Sequence, residues 1–276
     1  MPVTAAAWGG RRLGDVGYAL LGRRRRLALD NLTHALPALT PSARRRVARR
    51  SFQHLGMVFT ESCFVLHRPL AQAAAQIEIE GTRHLRAVIE GHGRALVLTA
   101  HLGNWELLTL APVLTGYPLS VVARALDSSA LDAWANRLRR AAGVEVIDKR
   151  AALRPVLAAL RRGRLVGVLL DQNTSRREGV FVPFFGRLAS TSKAMAVLAL
   201  RTKTPVIPAF TRRLAPGRHR ITIHPALPLP LARDEEAVRM LTAQCTEAVE
   251  AAVRATPEQW LWAHDRWRTR PAGEAT

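Results

Sequence analysis

The stretch Arg94-Ala-Leu-Val-Leu-Thr-Ala-His-Leu-Gly-Asn-Trp-Glu-Leu-Leu108 decides how this chain reads. Residues 95–100 form an apolar run of strand length, and from Asn104 onward the pattern reads as the start of an apolar helix. His101 therefore falls where a buried strand gives way to a helix, the place where open α/β sheets carry their chemistry. On a straight helix the spacing from His101 to Glu106 puts the two side chains about 140° apart. They meet only if the chain bends between them. Gly103 permits the bend because it lacks a Cβ, and Asn104 is a good N-cap. Glu106 then sits in the first helical turn, where the helix dipole favours a carboxylate. A histidine and a carboxylate joined in this way make a general base with its orienting partner. The competing reading is a capped helix beside a satisfied structural histidine.

Two further apolar runs end in polar residues. Tyr117-Pro-Leu-Ser-Val-Val-Ala-Arg124 closes on a cation, and Leu165-Val-Gly-Val-Leu-Leu-Asp-Gln172 on a carboxylate and an amide. Between them a helix capped by Ser128 carries Arg137, Arg139 and Arg140 before Gly143. Polar residues at the carboxyl ends of sheet strands converge on one crevice, so His101, Arg124 and Asp171 are expected at a common site. Residues 173–189 show no periodicity and include Phe181-Val-Pro-Phe-Phe-Gly186. This apolar loop reads either as a core flap or as the lining of a groove for an apolar ligand. Before the first strand, residues 27–69 are helical throughout. The expected fold is α/β, a mixed and mostly parallel sheet flanked by helices, with an N-terminal helical layer. Residues 1–26 read as a short basic amphipathic segment and 27–276 as a single domain.

The charge constrains partners. Lys and Arg number 41 against 21 Asp and Glu, a formal net charge of +20, and most of the cations are Arg, which grips phosphates and carboxylates bidentately. The Arg residues are spread along the chain and no nucleic-acid-binding signature accompanies them, so an anionic membrane surface is the expected partner and nucleic acid is not. Arg11, Arg12 and Asp15 break the apolar N-terminus, and residues 23–26 are all Arg. No run reaches the 18 or so apolar residues of a membrane-spanning helix. The N-terminus is expected to lie on a membrane, with a solvated basic helix as the competing reading, and the Trp-rich tail at residues 257–271 to join it there unless it packs back on its domain. Cys63 and Cys245 are too few and too isolated for a disulfide framework or a metal knuckle, and no metal is expected.

Thr99-Ala-His-Leu-Gly-Asn-Trp-Glu106, Leu170-Asp-Gln172, Phe181-Val-Pro-Phe-Phe-Gly186 and Trp260-Leu-Trp-Ala-His-Asp-Arg-Trp267 resemble, in order, the sequence blocks of the bacterial lipid A late acyltransferases. That family lies within the lysophospholipid acyltransferase superfamily, and the similarity runs over residues 23–271. The resemblance implies a glycerolipid-acyltransferase-like fold and transfer of a fatty acyl group to a glycolipid hydroxyl. The donor would be a thioester of acyl carrier protein or coenzyme A, with no cofactor beyond it. It implies His101 as general base and Glu106 as its partner, with backbone amides near Gly103 and Asn104 facing the developing oxyanion. Arg124 and Arg139 would hold phosphate groups, Asp171 and Gln172 would line the acceptor pocket, and Phe184 would belong to an acyl groove. The implied location is the cytoplasmic face of the inner membrane, peripheral or monotopic. Two alternatives stand beside this reading: an acyltransferase for another phosphoglycolipid, such as mannosylated phosphatidylinositol, and a non-catalytic binder of anionic lipid.

Overall fold

Three helices, α1 (Val3–Leu20), α2 (Gly22–Ala35) and α3 (Pro41–Leu66), precede the first strand and form the helical layer. The structure, a computed structural model, describes residues 3–66, 69–124 and 129–273. Ser128, expected as a helix cap, lies outside the described residues. Helix α1 lies against α3 in direct backbone contact. A Cβ on Gly14 would stand 2.4 Å from the Cα of Gln53, and one on Gly56 would stand 2.1 Å from the carbonyl oxygen of Gly10. Asp15, which interrupts the apolar N-terminus, is spent on the same contact. Its carboxylate pairs with Arg49 at 2.7 Å and accepts from Gln53 at 2.8 Å.

After α4 (Leu70–Ala74), strands and helices alternate. The order is β1 (Ile77–Glu80), α5 (Thr82–His92), β2 (Ala95–Thr99), α6 (Ala111–Thr115), β3 (Leu119–Ala123), α7 (Ser129–Ala141), β4 (Glu145–Asp148), α8 (Leu153–Arg161) and β5 (Leu165–Leu169). A separate hairpin, β6 (Gly179–Phe184) with β7 (Arg187–Ser192), follows. Then come α9 (Ala194–Thr202), β8 (Val206–Ala215), β9 (Arg218–Ile223) and α10 (Glu235–Ala255), the last capped by the Asp234 carboxylate on the amide of Ala237. The seven-stranded sheet runs β1-β9-β8-β2-β5-β3-β4. Every neighbouring pair is parallel except β8 with β9, so the sheet is mixed and mostly parallel, as expected.

Both sheet faces are covered, which is why β2 and β5 read as unbroken apolar runs rather than alternating ones. One face, with Leu96, Leu98 and Val166, packs against α10 residues such as Leu241 and against Trp260 and Trp262. The other, with Ala95, Leu119, Leu165 and Ile207, packs under Leu85 of α5 and Leu107 and Leu110.

Two expectations are corrected here. Residues 179–192 are a paired hairpin rather than an aperiodic loop, turning at Phe185 (φ 53°) and Gly186 (φ 74°). Positive φ at both central residues is the geometry whose twist matches a two-residue hairpin. Phe184 is fully buried, its ring 5.6 Å from those of Trp260 and Trp267. The tail tryptophans, expected at a membrane interface, are thus core residues: Trp260, Trp262 and Trp267 are all buried. Arg266 is sealed in with them, donating to the Ser190 carbonyl at 2.8 Å and lying over the Phe184 ring.

Candidate active site

His101 sits just beyond the carboxyl end of β2 and is gripped by Asp171, just beyond the end of the neighbouring β5. The Asp171 Oδ1 lies 2.9 Å from His101 Nδ1, and Oδ2 accepts from the His101 backbone amide at 3.0 Å and from the Trp260 indole at 2.8 Å. One buried carboxylate therefore fixes both the ring and the main chain of the histidine. Burial pushes the Asp171 carboxyl up, but the charge of His101 and these hydrogen bonds outweigh it and hold the pKa at about 2. An ionised oxygen at Nδ1 keeps the ring proton there and leaves the Nε2 lone pair outward. Nε2 faces the side-chain amide of Gln172 at 3.3 Å, and 20% of the His101 side chain is exposed. The ring of Trp105 stands edge-on to it, centroids 5.0 Å apart.

Glu106 is placed differently from expectation. Its carboxylate meets Arg139 of α7, with Nη2 at 2.8 Å from Oε1 and Nε at 3.2 Å from Oε2. Both side chains are mostly buried, so the pair is a fork-to-fork bond shielded from water. Asp171, expected in the acceptor pocket, holds the position at Nδ1 that the spacing argument gave to Glu106. The reason is the backbone: β2 and β5 are register neighbours, Thr99 opposite Leu169, so their following residues meet without any bend.

The Gly103 amide and the Asn104 side chain are both engaged within the fold. Gly103 has φ 57°, its amide donates to the Gln259 carbonyl at 3.1 Å, and a Cβ there would stand 2.2 Å from the Thr211 carbonyl oxygen. Asn104 does not cap the following helix with its side chain. It is fully buried and donates through Nδ2 to Glu61 of α3 at 3.1 Å. That Glu61 is the centre of a buried network with Arg213 and His219, and Arg213 also bonds Nδ1 of His54. Burial works against the Glu61 charge, but His219 and Arg213 hold its carboxyl well below the usual range. The helix after Asn104 is consequently a tight 3-10 segment, Trp105–Leu110, running into α6. Sequence reasoning missed Glu61, Arg213 and the Trp260 bond to Asp171. Only the tail block containing Trp260 gave a signal for any of them.

Beside Glu106 and Arg139 an apolar channel opens under the sheet. Its floor is the α5-facing side of the strands, with Val97 and Thr99 from β2, Gly167 and Leu169 from β5, and Val121 and Ala123 from β3. Trp105, Leu108 and Thr109 form its roof, and its cavity volume is about 80 Å³, that of a narrow slot. Arg124 is exposed immediately after β3 at the same end of the sheet. Phe184 takes no part, being packed among the tryptophans on the opposite face.

A sequence profile for bacterial lipid A biosynthesis acyltransferases matches residues 1–269. The chain is 25% identical over 280 residues to a lipid A biosynthesis palmitoleoyltransferase of Escherichia coli (strain K12), covering 100% of this chain and 89% of the relative. It is 27% identical over 268 residues to a lipid A biosynthesis lauroyltransferase of the same organism, covering 95% and 84%. A lipid A biosynthesis acyltransferase of Haemophilus influenzae is 26% identical over 255 residues, covering 91% and 78%. With the profile spanning nearly its whole length and a clamped histidine at the strand ends of an α/β sheet, this chain is an acyltransferase and belongs to the bacterial lipid A biosynthesis acyltransferase family.

Proposed function

We propose that this enzyme moves a fatty acyl group from a thioester, on acyl carrier protein or coenzyme A, to a hydroxyl of a lipid A precursor, with His101 as general base. The observation that carries the reading is His101 held at Nδ1 by buried, ionised Asp171, with Nε2 toward Gln172 and the ring against Trp105, a residue that lines the apolar channel. In the reaction Nε2 takes the proton of the acceptor hydroxyl as its oxygen attacks the thioester carbonyl carbon. The carbon–sulfur bond then breaks, and the imidazolium returns the proton to the departing thiolate. Asp171 stabilises the imidazolium in between, the role an orienting carboxylate plays beside a catalytic histidine. The acyl chain enters the slot under the sheet. Each buried methylene contributes about 0.8 kcal/mol, so a chain of ordinary length outweighs any single polar contact. Glu106 supports the site by fixing Arg139 in the channel lining, its guanidinium also donating to Asn136 Oδ1 at 3.3 Å.

The relatives are named for palmitoleoyl and lauroyl transfer, which supports a donor whose chain length is a property of each enzyme. The partners proposed are thus a glycolipid acceptor, an acyl carrier protein or coenzyme A donor, and an anionic membrane surface at the cytoplasmic face of the inner membrane. Among the described residues no helix is long and apolar enough to cross a membrane. The helical layer offers instead an exposed apolar edge, Trp8, Leu13, Leu20 and Leu21, beside a groove of about 640 Å³ lined by Arg11, Arg12, Arg45, Arg46, Arg49 and Arg50. Apolar residues flanked by arginines suit a lipid interface.

The test is thioester consumption by the purified protein. Donor cleavage that appears only when a lipid A precursor is supplied, and that falls about 10²- to 10⁴-fold in a folded His101→Ala variant, supports the assignment. Full turnover without His101 refutes it.

A further inference from the structure

The channel floor has one gap. Where β8, β2, β5 and β3 cross its middle, register pairing aligns Ile207, Val97, Gly167 and Val121 in a single row. Three of the four are β-branched and fill their share of the sheet surface. Gly167 carries no side chain, and it has no conformational need to be glycine: its φ is not positive. The atoms nearest a Cβ built there are Val121 Cγ1 at 3.5 Å, Leu119 Cδ1 at 3.7 Å and the Ser120 carbonyl oxygen at 3.8 Å, all ordinary contacts. The backbone therefore accepts a side chain at this position. Glycine within a strand interior weakens it and often marks a place where a ligand approaches closely.

We propose that Gly167 sets the longest acyl chain this enzyme accepts, its missing side chain being the passage by which the donor chain runs deeper than Val97 and Val121. The inference rests on the acyl-transfer reading of the site and adds to it the residue that fixes donor length. A strand rises about 3.3 Å per residue, so Gly167 lies about 6.6 Å below Leu169 and Leu165 about 13 Å below it. Carbon–carbon bonds of about 1.5 Å advance an extended chain by about 1.3 Å per carbon, so each of these steps takes up about five carbons. A side chain at residue 167 closes the slot one step below the catalytic end. The same substitution leaves His101, Asp171, Glu106 and Arg139 in place.

The experiment uses the full chain and saturated acyl thioesters from hexanoyl to stearoyl, presented on coenzyme A and on acyl carrier protein. Two quantities are read: kcat/KM across the series with a lipid A precursor, and the thermal upshift produced by each thioester with no acceptor present. Gly167→Val moves the optimum in both to shorter chains and lowers kcat/KM for the longest donors about tenfold or more relative to the shortest, the discrimination expected when a pocket is too small by a methylene or more. Val121→Ala, which opens the same row, moves the optimum the other way or broadens it toward long donors. Should Gly167→Val fail to fold, Gly167→Ala decides, since its methyl lies at ordinary contact distances. An unmoved optimum in a folded Gly167 variant, with all donors slowed alike, overturns the inference while leaving acyl transfer intact. Failure of the unaltered protein to bind or turn over any donor overturns the acyl-transfer reading, and this inference with it.

Discussion

Asp171 makes three contacts with His101 and Trp260, each to a different atom: the His101 ring Nδ1, the His101 backbone amide and the Trp260 indole. The pKa near 2 means that the carboxylate stays charged at any pH at which the protein functions, so the ring proton of His101 is confined to Nδ1. Asp171→Asn keeps the shape but turns an amide toward Nδ1 and favours the opposite tautomer. We expect it to lower kcat by about 10²- to 10⁴-fold. Glu106→Gln is expected to cost less, because it weakens the hold on Arg139 and leaves His101 clamped. The comparison is made by steady-state kinetics on both variants across pH, with folding checked by circular dichroism. An Asp171→Asn enzyme as fast as the parent, or a Glu106→Gln enzyme slower than Asp171→Asn, would show that the roles are assigned to the wrong carboxylates.

The hairpin β6–β7 and the tail are one structural element in effect. Phe184 stacks among Trp260, Trp267 and Phe185, and Arg266 bonds Ser190 from beneath. Because Trp260 also donates to Asp171, this aromatic layer reaches the catalytic end of the sheet through a single hydrogen bond. Phe184→Ala should therefore act on stability, costing about 3–5 kcal/mol as a large-to-small change in a packed core. It should lower activity by loosening Asp171 and leave the preference among donor lengths unchanged. Urea denaturation together with a donor-length profile tests this, and a profile displaced by Phe184→Ala would return the acyl groove to the hairpin.

Two consequences belong to the whole molecule. Buried His54 and half-buried His264 are held in the neutral form. Burial, with help from neighbouring cations, brings His264 to about 4 and His54 to about 3. Unfolded, both titrate near the ordinary value of 6.5. As pH falls below about 6.5 the unfolded chain takes up these protons first, so stability declines until pH about 4 for His264 and about 3 for His54. Asp171 is shifted in the same direction, downward, but from a lower ordinary value, so its contribution is lost only as pH falls from about 4 toward 2. The urea midpoint should thus be lower at about pH 5 than at about pH 7.5, and His264→Gln should flatten that slope. An unchanged midpoint over this range, or an unchanged slope in the variant, counts against the assignment. The second consequence follows from the charge of +20. Each basic residue near an anionic surface adds about 1 kcal/mol, so on the proposed membrane attachment the arginine groove between α1 and α3 is expected to hold the protein at low salt. The Debye length shrinks from about 10 Å at 0.1 M to about 3 Å at 1 M salt. A high-salt wash without detergent is expected to release a substantial fraction from membranes. Retention at every ionic strength until detergent is added would show that apolar insertion, not charge, does the holding.

By itself the sequence determined the fold class and that polar residues follow the carboxyl ends of β2 and β5. Apolar runs of strand length at residues 95–100 and 165–170, each closing on polar residues, are local features, and burial of a parallel sheet on both faces leaves them no other use. Which carboxylate serves His101 was decided only by the tertiary structure. Spacing along the chain pointed to Glu106, five positions away, whereas strand register brings in Asp171, seventy positions away. Sequence carries no record of register between distant strands. The same limit applies to Asn104, whose capping propensity is local but whose side chain is claimed by Glu61 across the helical layer. It applies as well to Phe184 and the tail tryptophans. Aromatic residues suit a core, a groove or a membrane edge equally, and only the packing of β6, β7 and the tail against α10 chose the core.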